Sequence, residues 1–325
     1  MRSILSIALL AFTALVQPAC STVLAPPTSN PSLSTITKPS TSLRRLFVAS
    51  EDGTKIYAEA IGDKRNTPVV FIHGFGGSVV HFNKQFEDAK LLKNLYLIRY
   101  DMRGHGRSEG PLEAGAYESI RHAQDLKAVL DGFDAVRPFV AGWSLGGFIP
   151  ADAVAAYGPS FISGVILLGS GIGPDDNFLS IIARPTVAEL LTGLASTDVL
   201  EFRNATMAFS KSLYAPGYEI AFEEEQRVVG GLLIMHPAVR AHTGARSVPG
   251  GPITAAADKL PFLVIGGSED AHIDAEIVRD YMTENRFKIE FHLLDGIGHS
   301  VFYEAPEKTD KLILQFVKKH ASNKV

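Results

Sequence analysis

The chain has one cysteine, Cys20, among 325 residues, so it can form no internal disulfide and no cysteine cluster for a metal. A His-Glu-x-x-His stretch is also missing, and with it the common zinc-hydrolase arrangement. No Gly-x-x-x-x-Gly-Lys-Ser/Thr segment is present to cradle nucleotide phosphates. Neither sign of charge dominates: 31 Lys and Arg stand against 35 Asp and Glu, for a net charge of -4. With no basic run, a nucleic-acid surface is not expected. Internal repeats are absent. No metal and no cofactor are expected, which leaves a small molecule as the partner to look for.

Long apolar runs are scarce too. The main one, Ile4 to Val16, is shorter than the roughly 20 residues that span a bilayer. Arg2 precedes it and the small residues Ala19, Cys20 and Ser21 follow. That layout predicts a secretory signal peptide over 1–21 and an extracellular protein. The alternative is the same segment retained as a membrane anchor. Cys20 stands where a lipid could be attached, but Gln17-Pro18-Ala19 departs from the small apolar run such a signal uses. Residues 22–43 are rich in Pro, Ser and Thr and read as a flexible leader. Asn204-Ala205-Thr206 is a lone glycosylation sequon.

The remainder, 44–325, is expected to be one folded domain, since 46% hydrophobic and 20% charged residues are ordinary globular values. Arg45–Ala49 and Lys55–Ile61 flank Glu51-Asp52-Gly53 and read as a hairpin. Strands are then predicted at Val69–Ile72, Leu95–Tyr100, around Phe139, and at Gly164–Leu168, Phe262–Ile265 and Lys288–Leu294. Helices are predicted at His81–Leu92, Ser119–Leu130, Gly147–Tyr157, Asp274–Thr283 and Pro306–His320. Strands alternating with helices imply an α/β class, with a mostly parallel sheet covered on both faces. The alternation lapses from about 172 to 251, where helical signals alone predict an inserted cap. Ile181, Ile182, Leu190, Leu191 and Leu194 would give that insertion an apolar face, most of it packed on the core.

Gly142-Trp143-Ser144-Leu145-Gly146 carries the chemistry. A strand precedes it and an alanine-rich helix follows, so Ser144 sits on a sharp turn that exposes its hydroxyl as a nucleophile. Its partners should follow other strand ends, because loops at the C-terminal edge of such a sheet carry the ligands. Three candidates do. His73-Gly74-Phe75-Gly76-Gly77-Ser78 could supply the Phe75 N–H to an oxyanion hole, together with that of Leu145. Gly266-Gly267-Ser268-Glu269-Asp270 offers Asp270 to orient a histidine, with Glu269 and Asp274 as neighbouring alternatives. Asp295-Gly296-Ile297-Gly298-His299 offers His299 as general base. His105 and His272 are further pocket candidates, while His73, Asp101 and Arg103 read as structural. Phe75 and Trp143 beside the serine suggest a mainly apolar pocket.

Taken together, these residues resemble the α/β-hydrolase superfamily. The closer likeness is to its branch of esterases, enol-lactone hydrolases and cofactor-free haloperoxidases. The resemblance is carried by His73-Gly74-Phe75-Gly76-Gly77, Asp101-Met102-Arg103-Gly104-His105-Gly106-Arg107-Ser108, Gly142 to Gly147, and Gly298-His299 with Glu304-Ala305-Pro306. It implies an eight-stranded α/β-hydrolase fold and a Ser144, Asp270, His299 triad, in the chain order usual for that superfamily. Some relatives take the acid from the loop where Asp175 and Asp176 stand. Relatives with an aspartate nucleophile carry Asp at the place of Ser144, so epoxide hydrolase and dehalogenase activities are not expected. The expected function is hydrolysis of a carboxylic ester or lactone of a small to medium, mainly apolar molecule. Hydrolysis of a C–C bond in a dienoic ketoacid, or ligand binding with little turnover, are the alternatives.

Overall fold

The computed structural model describes residues 42–173 and 178–321. The expected signal peptide, all but the last two residues of the leader, and Asp175 and Asp176 lie outside the described residues.

The chain enters through β1 (Arg44–Ala49) and β2 (Lys55–Ile61), joined by a tight turn in which Gly53 takes a φ of 86°. There follow β3 (Thr67–Ile72), α1 (Asn83–Glu87), α2 (Ala89–Asn94), β4 (Leu95–Tyr100), α3 (Ser119–Gly132), β5 (Phe139–Trp143), α4 (Ile149–Tyr157) and β6 (Gly164–Leu168). Between β6 and β7 (Phe262–Gly267) the described residues hold only helices: α5 (Phe178–Ile182), α6 (Pro185–Ala195), α7 (Val199–Ser212), α8 (Phe222–Ile234), α9 (Pro237–Ala245) and α10 (Gly250–Thr254). The chain closes with α11 (Ala275–Glu284), β8 (Ile289–Leu294), α12 (Val301–Glu304) and α13 (Pro306–Ala321).

One helix was expected over His81–Leu92, and the structure divides it. Asp88 adopts an extended conformation, and its carboxylate accepts from the amides of Lys90 at 2.8 Å and Leu91 at 2.7 Å. A residue that caps a new helix cannot continue the old one. The same device starts α7 at Asp198 and α11 at Asp274.

The eight strands form one sheet in the order β1-β2-β4-β3-β5-β6-β7-β8. β1 and β2 run antiparallel to their neighbours, and all later pairs are parallel. The inner parallel strands β5, β6 and β7 are buried on both faces, which explains their continuous apolar sequence, while β8 at the sheet edge is mostly half-buried and carries Glu290 and His292. Val70, Ile72, Val140 and Leu167 pack with Leu126 and Ile149 in one core. Val69, Phe71, Ala141 and Ile166 pack with Ile313 and Phe316 in the other.

Register decides where the site forms. Ile72 pairs with Gly142, Trp143 with Leu168, Leu168 with Ile265, and Gly267 with Leu294. The strands therefore end nearly level, and the loops after β3, β5, β6, β7 and β8 emerge at one edge of the sheet.

Candidate active site

Ser144 leaves β5 with a φ of 51°, a left-handed conformation uncommon for a residue with a side chain. Two glycines make the turn possible. A Cβ on Gly142 would overlap the backbone of Gly146 and Gly147, and a Cβ on Gly146 would overlap the backbone of Ile72 and His73. A 3-10 turn from Ser144 to Phe148 then leads into α4. Leu145 lies in its first turn, where backbone N–H groups have no acceptor within the helix. Ser170, in the loop after β6, steadies the turn by donating its hydroxyl to the Ser144 carbonyl at 2.8 Å.

His299 and Asp270 meet directly. Nδ1 of His299 lies 2.9 Å from Oδ2 and 3.0 Å from Oδ1 of Asp270. The carboxylate can only accept, so Nδ1 carries the proton and Nε2 presents a lone pair. Nε2 is buried and has no protein hydrogen-bond partner. Oδ1 of Asp270 also accepts from the amides of His272 at 2.7 Å and Ile273 at 3.0 Å. Burial works to raise the Asp270 pKa, but the charge and hydrogen bond of His299, with the Ile273 amide, outweigh it and lower the pKa. Neighbours of Ser144 and His299 bind the two together: Trp143 donates its indole N–H to the His299 carbonyl at 3.2 Å. Gly169, beside Ser170, lies in close contact with the His299 ring.

His272 also belongs here. Its ring lies 4.4 Å from that of His299 and 5.2 Å from that of Phe209 on α7. Its Nε2 lies 2.7 Å from the Ser212 hydroxyl. Burial, then the nearby His299, pushes its pKa down to about 3 and keeps it neutral. Phe75 stands in the loop after β3 with its ring 6.5 Å from Phe209 and 6.2 Å from His105. Leu232 of α8 packs on Gly76, the next residue.

Trp143, expected beside the pocket, is as buried as Asp270, with its ring 5.8 Å from that of His299 and 5.1 Å from that of Phe302. It supports the His299 loop from within. The other polar candidates hold the scaffold. His73 lies between the Gly74 carbonyl, at 2.8 Å, and the Met102 amide, at 3.0 Å. Asp101 accepts from the amides of Val79 and Arg107, and Arg103 grips Asp125 with two nitrogens. His105 lies against His73, and burial lowers its pKa to about 4. Ser170, Ser212 and Glu304 make contacts that no local pattern announces.

The sequence pattern of the alpha/beta hydrolase fold matches residues 67–306. A putative aryl esterase from Burkholderia cenocepacia is 27% identical, superposes with a TM-score of 0.77, and covers 86% of this chain and 100% of its own. The esterase RhEst1 from Rhodococcus sp. ECU1013 is 28% identical with a TM-score of 0.75, covering 86% and 99%. The dihydrolipoyllysine-residue acetyltransferase component of an acetoin cleaving system from Pseudomonas putida is 27% identical over 267 residues. That match covers 80% of this chain but only 66% of the Pseudomonas protein.

The chain belongs to the alpha/beta hydrolase fold family. Within that family it is a hydrolase similar to bacterial esterases.

Proposed function

We propose that the protein hydrolyses a carboxylic ester or lactone through an acyl-enzyme on Ser144. One observation carries this reading. The Asp270 carboxylate fixes the His299 ring with Nε2 free, and bonds from Trp143 and Ser170 hold His299 and Ser144 in one cluster. His299 Nε2 takes the Ser144 proton as the oxygen attacks the carbonyl carbon, and Asp270 stabilises the imidazolium. The N–H groups of Phe75 and Leu145 donate to the oxyanion. The imidazolium then protonates the departing alcohol; His299 next takes a proton from water as its oxygen attacks the acyl carbon, and returns that proton to Ser144 Oγ as the acyl–serine bond breaks and the acid leaves. Phe75 and Phe209 give the acyl group an apolar, aromatic wall. The esterase neighbours support an ester as the substrate class.

A fluorophosphonate probe and a p-nitrophenyl ester test the proposal on the purified chain. Acylation at Ser144, and loss of both labelling and turnover in Ser144→Ala, are expected. If Ser144→Ala kept most of its turnover, the nucleophile would lie elsewhere. A panel of esters, lactones and dienoic ketoacids then separates ester from C–C hydrolysis, and a wild-type chain that takes no probe would be a binding protein.

A further inference from the structure

The chain leaving α7, from Ser212 to Ala215, touches both loops that carry the acid and the base. Ser212 meets His272 two residues after Asp270. The amide of Ser300 donates to the Leu213 carbonyl at 2.9 Å. The amide of Ala215 donates to Oε2 of Glu304 at 2.9 Å, and the amide of Gly298 donates to Oε1 at 3.1 Å. Gly298 and Ser300 are the two neighbours of His299, so two of these bonds bracket it. The fit is close, because a Cβ on Gly298 would overlap the backbone at Tyr214 and Ala215.

The Glu304 side chain joins the two segments in this clamp. Each of its oxygens serves a different amide, one from the helical insertion and one from the His299 loop. A glutamine in the same place could accept from only one of them, because its N–H₂ would face the other donor. Burial raises the Glu304 pKa, the Ala215 and Gly298 amides pull it down, and the Asp270 carboxylate adds to the rise, which wins. A second carboxylate beside the Asp270–His299 pair is unfavourable unless its bonds offset that cost.

We propose that Glu304 is a positioning residue for the hydrolysis set out above, on which this inference rests. Its carboxylate pins the His299 loop to residues 213–215 of the insertion. His299 keeps its reach to Ser144 while that segment is seated and loses it when the segment lifts.

The test compares full-length wild type, Glu304→Ala and Glu304→Gln. Active sites are counted by fluorophosphonate titration, and kcat per counted site and KM are measured on a p-nitrophenyl ester. The low-field proton resonance of the Asp270–His299 hydrogen bond is followed by NMR. Glu304→Ala is expected to lower kcat per site on the order of 10- to 100-fold, the scale of a small misplacement. KM should stay within about twofold, as for an interaction lost in the transition state. Glu304→Gln should fall between, and the low-field resonance should shift in both variants. A group that merely supports folding would reduce the number of titratable sites and leave kcat per site unchanged. That result would overturn the proposal. If Glu304→Ala does not fold, Glu304→Gln decides, and wild-type kcat per site there overturns it. Failure of the hydrolase reading looks different: the wild type itself takes no probe and turns over no ester. The NMR arm then decides alone, and an unmoved resonance sinks the positioning role.

Discussion

Nδ1 of His299 stands 2.9 Å from Oδ2 of Asp270, with both side chains sealed from solvent. This contact selects the tautomer. Asp270→Asn offers Nδ1 an amide in place of two acceptor oxygens and allows the ring to hold its proton on Nε2 instead. The fold should survive, since the volume is unchanged, while kcat on a p-nitrophenyl ester should fall by about 10⁴-fold. Steady-state kinetics with a circular-dichroism melt checks both halves. A loss smaller than about tenfold would mean that Asp270 is not the orienting acid.

Burial gives His105 and Asp310 opposite pH signatures. His105 is held neutral, its pKa down at about 4, while burial pushes Asp310 up to about 7. Below the unfolded-state histidine value of about 6.5, the unfolded chain takes up a proton that folded His105 refuses. Wild type should therefore lose stability relative to His105→Gln as pH falls from about 6.5 to 4, by up to about 1.4 kcal/mol per pH unit. Asp310 works the other way. Between about 3.9 and 7 the folded carboxyl holds a proton that the unfolded one releases, so wild type should lose stability relative to Asp310→Asn as pH rises. Urea titrations at half-unit pH steps read both slopes.

The Arg103–Asp125 pair is buried, with side chains 0% and 1% exposed. Arg103→Met strands the buried Asp125 carboxylate and should cost about 3–5 kcal/mol, and Asp125→Leu should cost less, because Arg103 keeps Asp52 at 3.0 Å. The double variant should recover part of the Arg103→Met loss, because no buried charge is left and only the partly exposed Asp52 loses its partner. Additive losses in denaturant melts would show that the pair contributes through packing alone.

Gly146 faces the carbonyl region of Ile72 and His73 with no room for a Cβ. Gly146→Ala should push β5 and β3 apart at their ends and cost about 1–3 kcal/mol. It should also slow fluorophosphonate labelling, because the Ser144 turn and the Phe75 loop lose their spacing. Labelling at the wild-type rate would show that the turn absorbs the methyl group.

Much of the fold is legible because its signals are local. β4 and β6 occupy the spans their apolar runs predict, since a continuous run between polar ends leaves little choice. The hairpin follows from Glu51-Asp52-Gly53, whose glycine takes the positive φ the turn needs. The break at Asp88 was hidden, because aspartate inside a helical pattern looks like a solvated face until its side chain is seen capping. The three loops with Ser144, Asp270 and His299 are legible because each glycine frame directly follows a strand. The face that Trp143 takes is not legible, because a strand buried on both sides has no polar alternation to mark it. Glu304 lies 89 residues from Ala215, and no spacing rule links two positions so far apart.

The left-handed conformation of Ser144 sets folding and chemistry against each other at one position. A residue with a Cβ there stores strain of order 1–2 kcal/mol, which glycine would not. Ser144→Gly should therefore be more heat-stable than the native chain and inert toward esters. Ser144 is one of four non-glycine residues with positive φ among the described ones, and the one that stands at the proposed nucleophile. Any search for sturdier variants of this chain that does not also screen for activity will tend to find the ones that have stopped working.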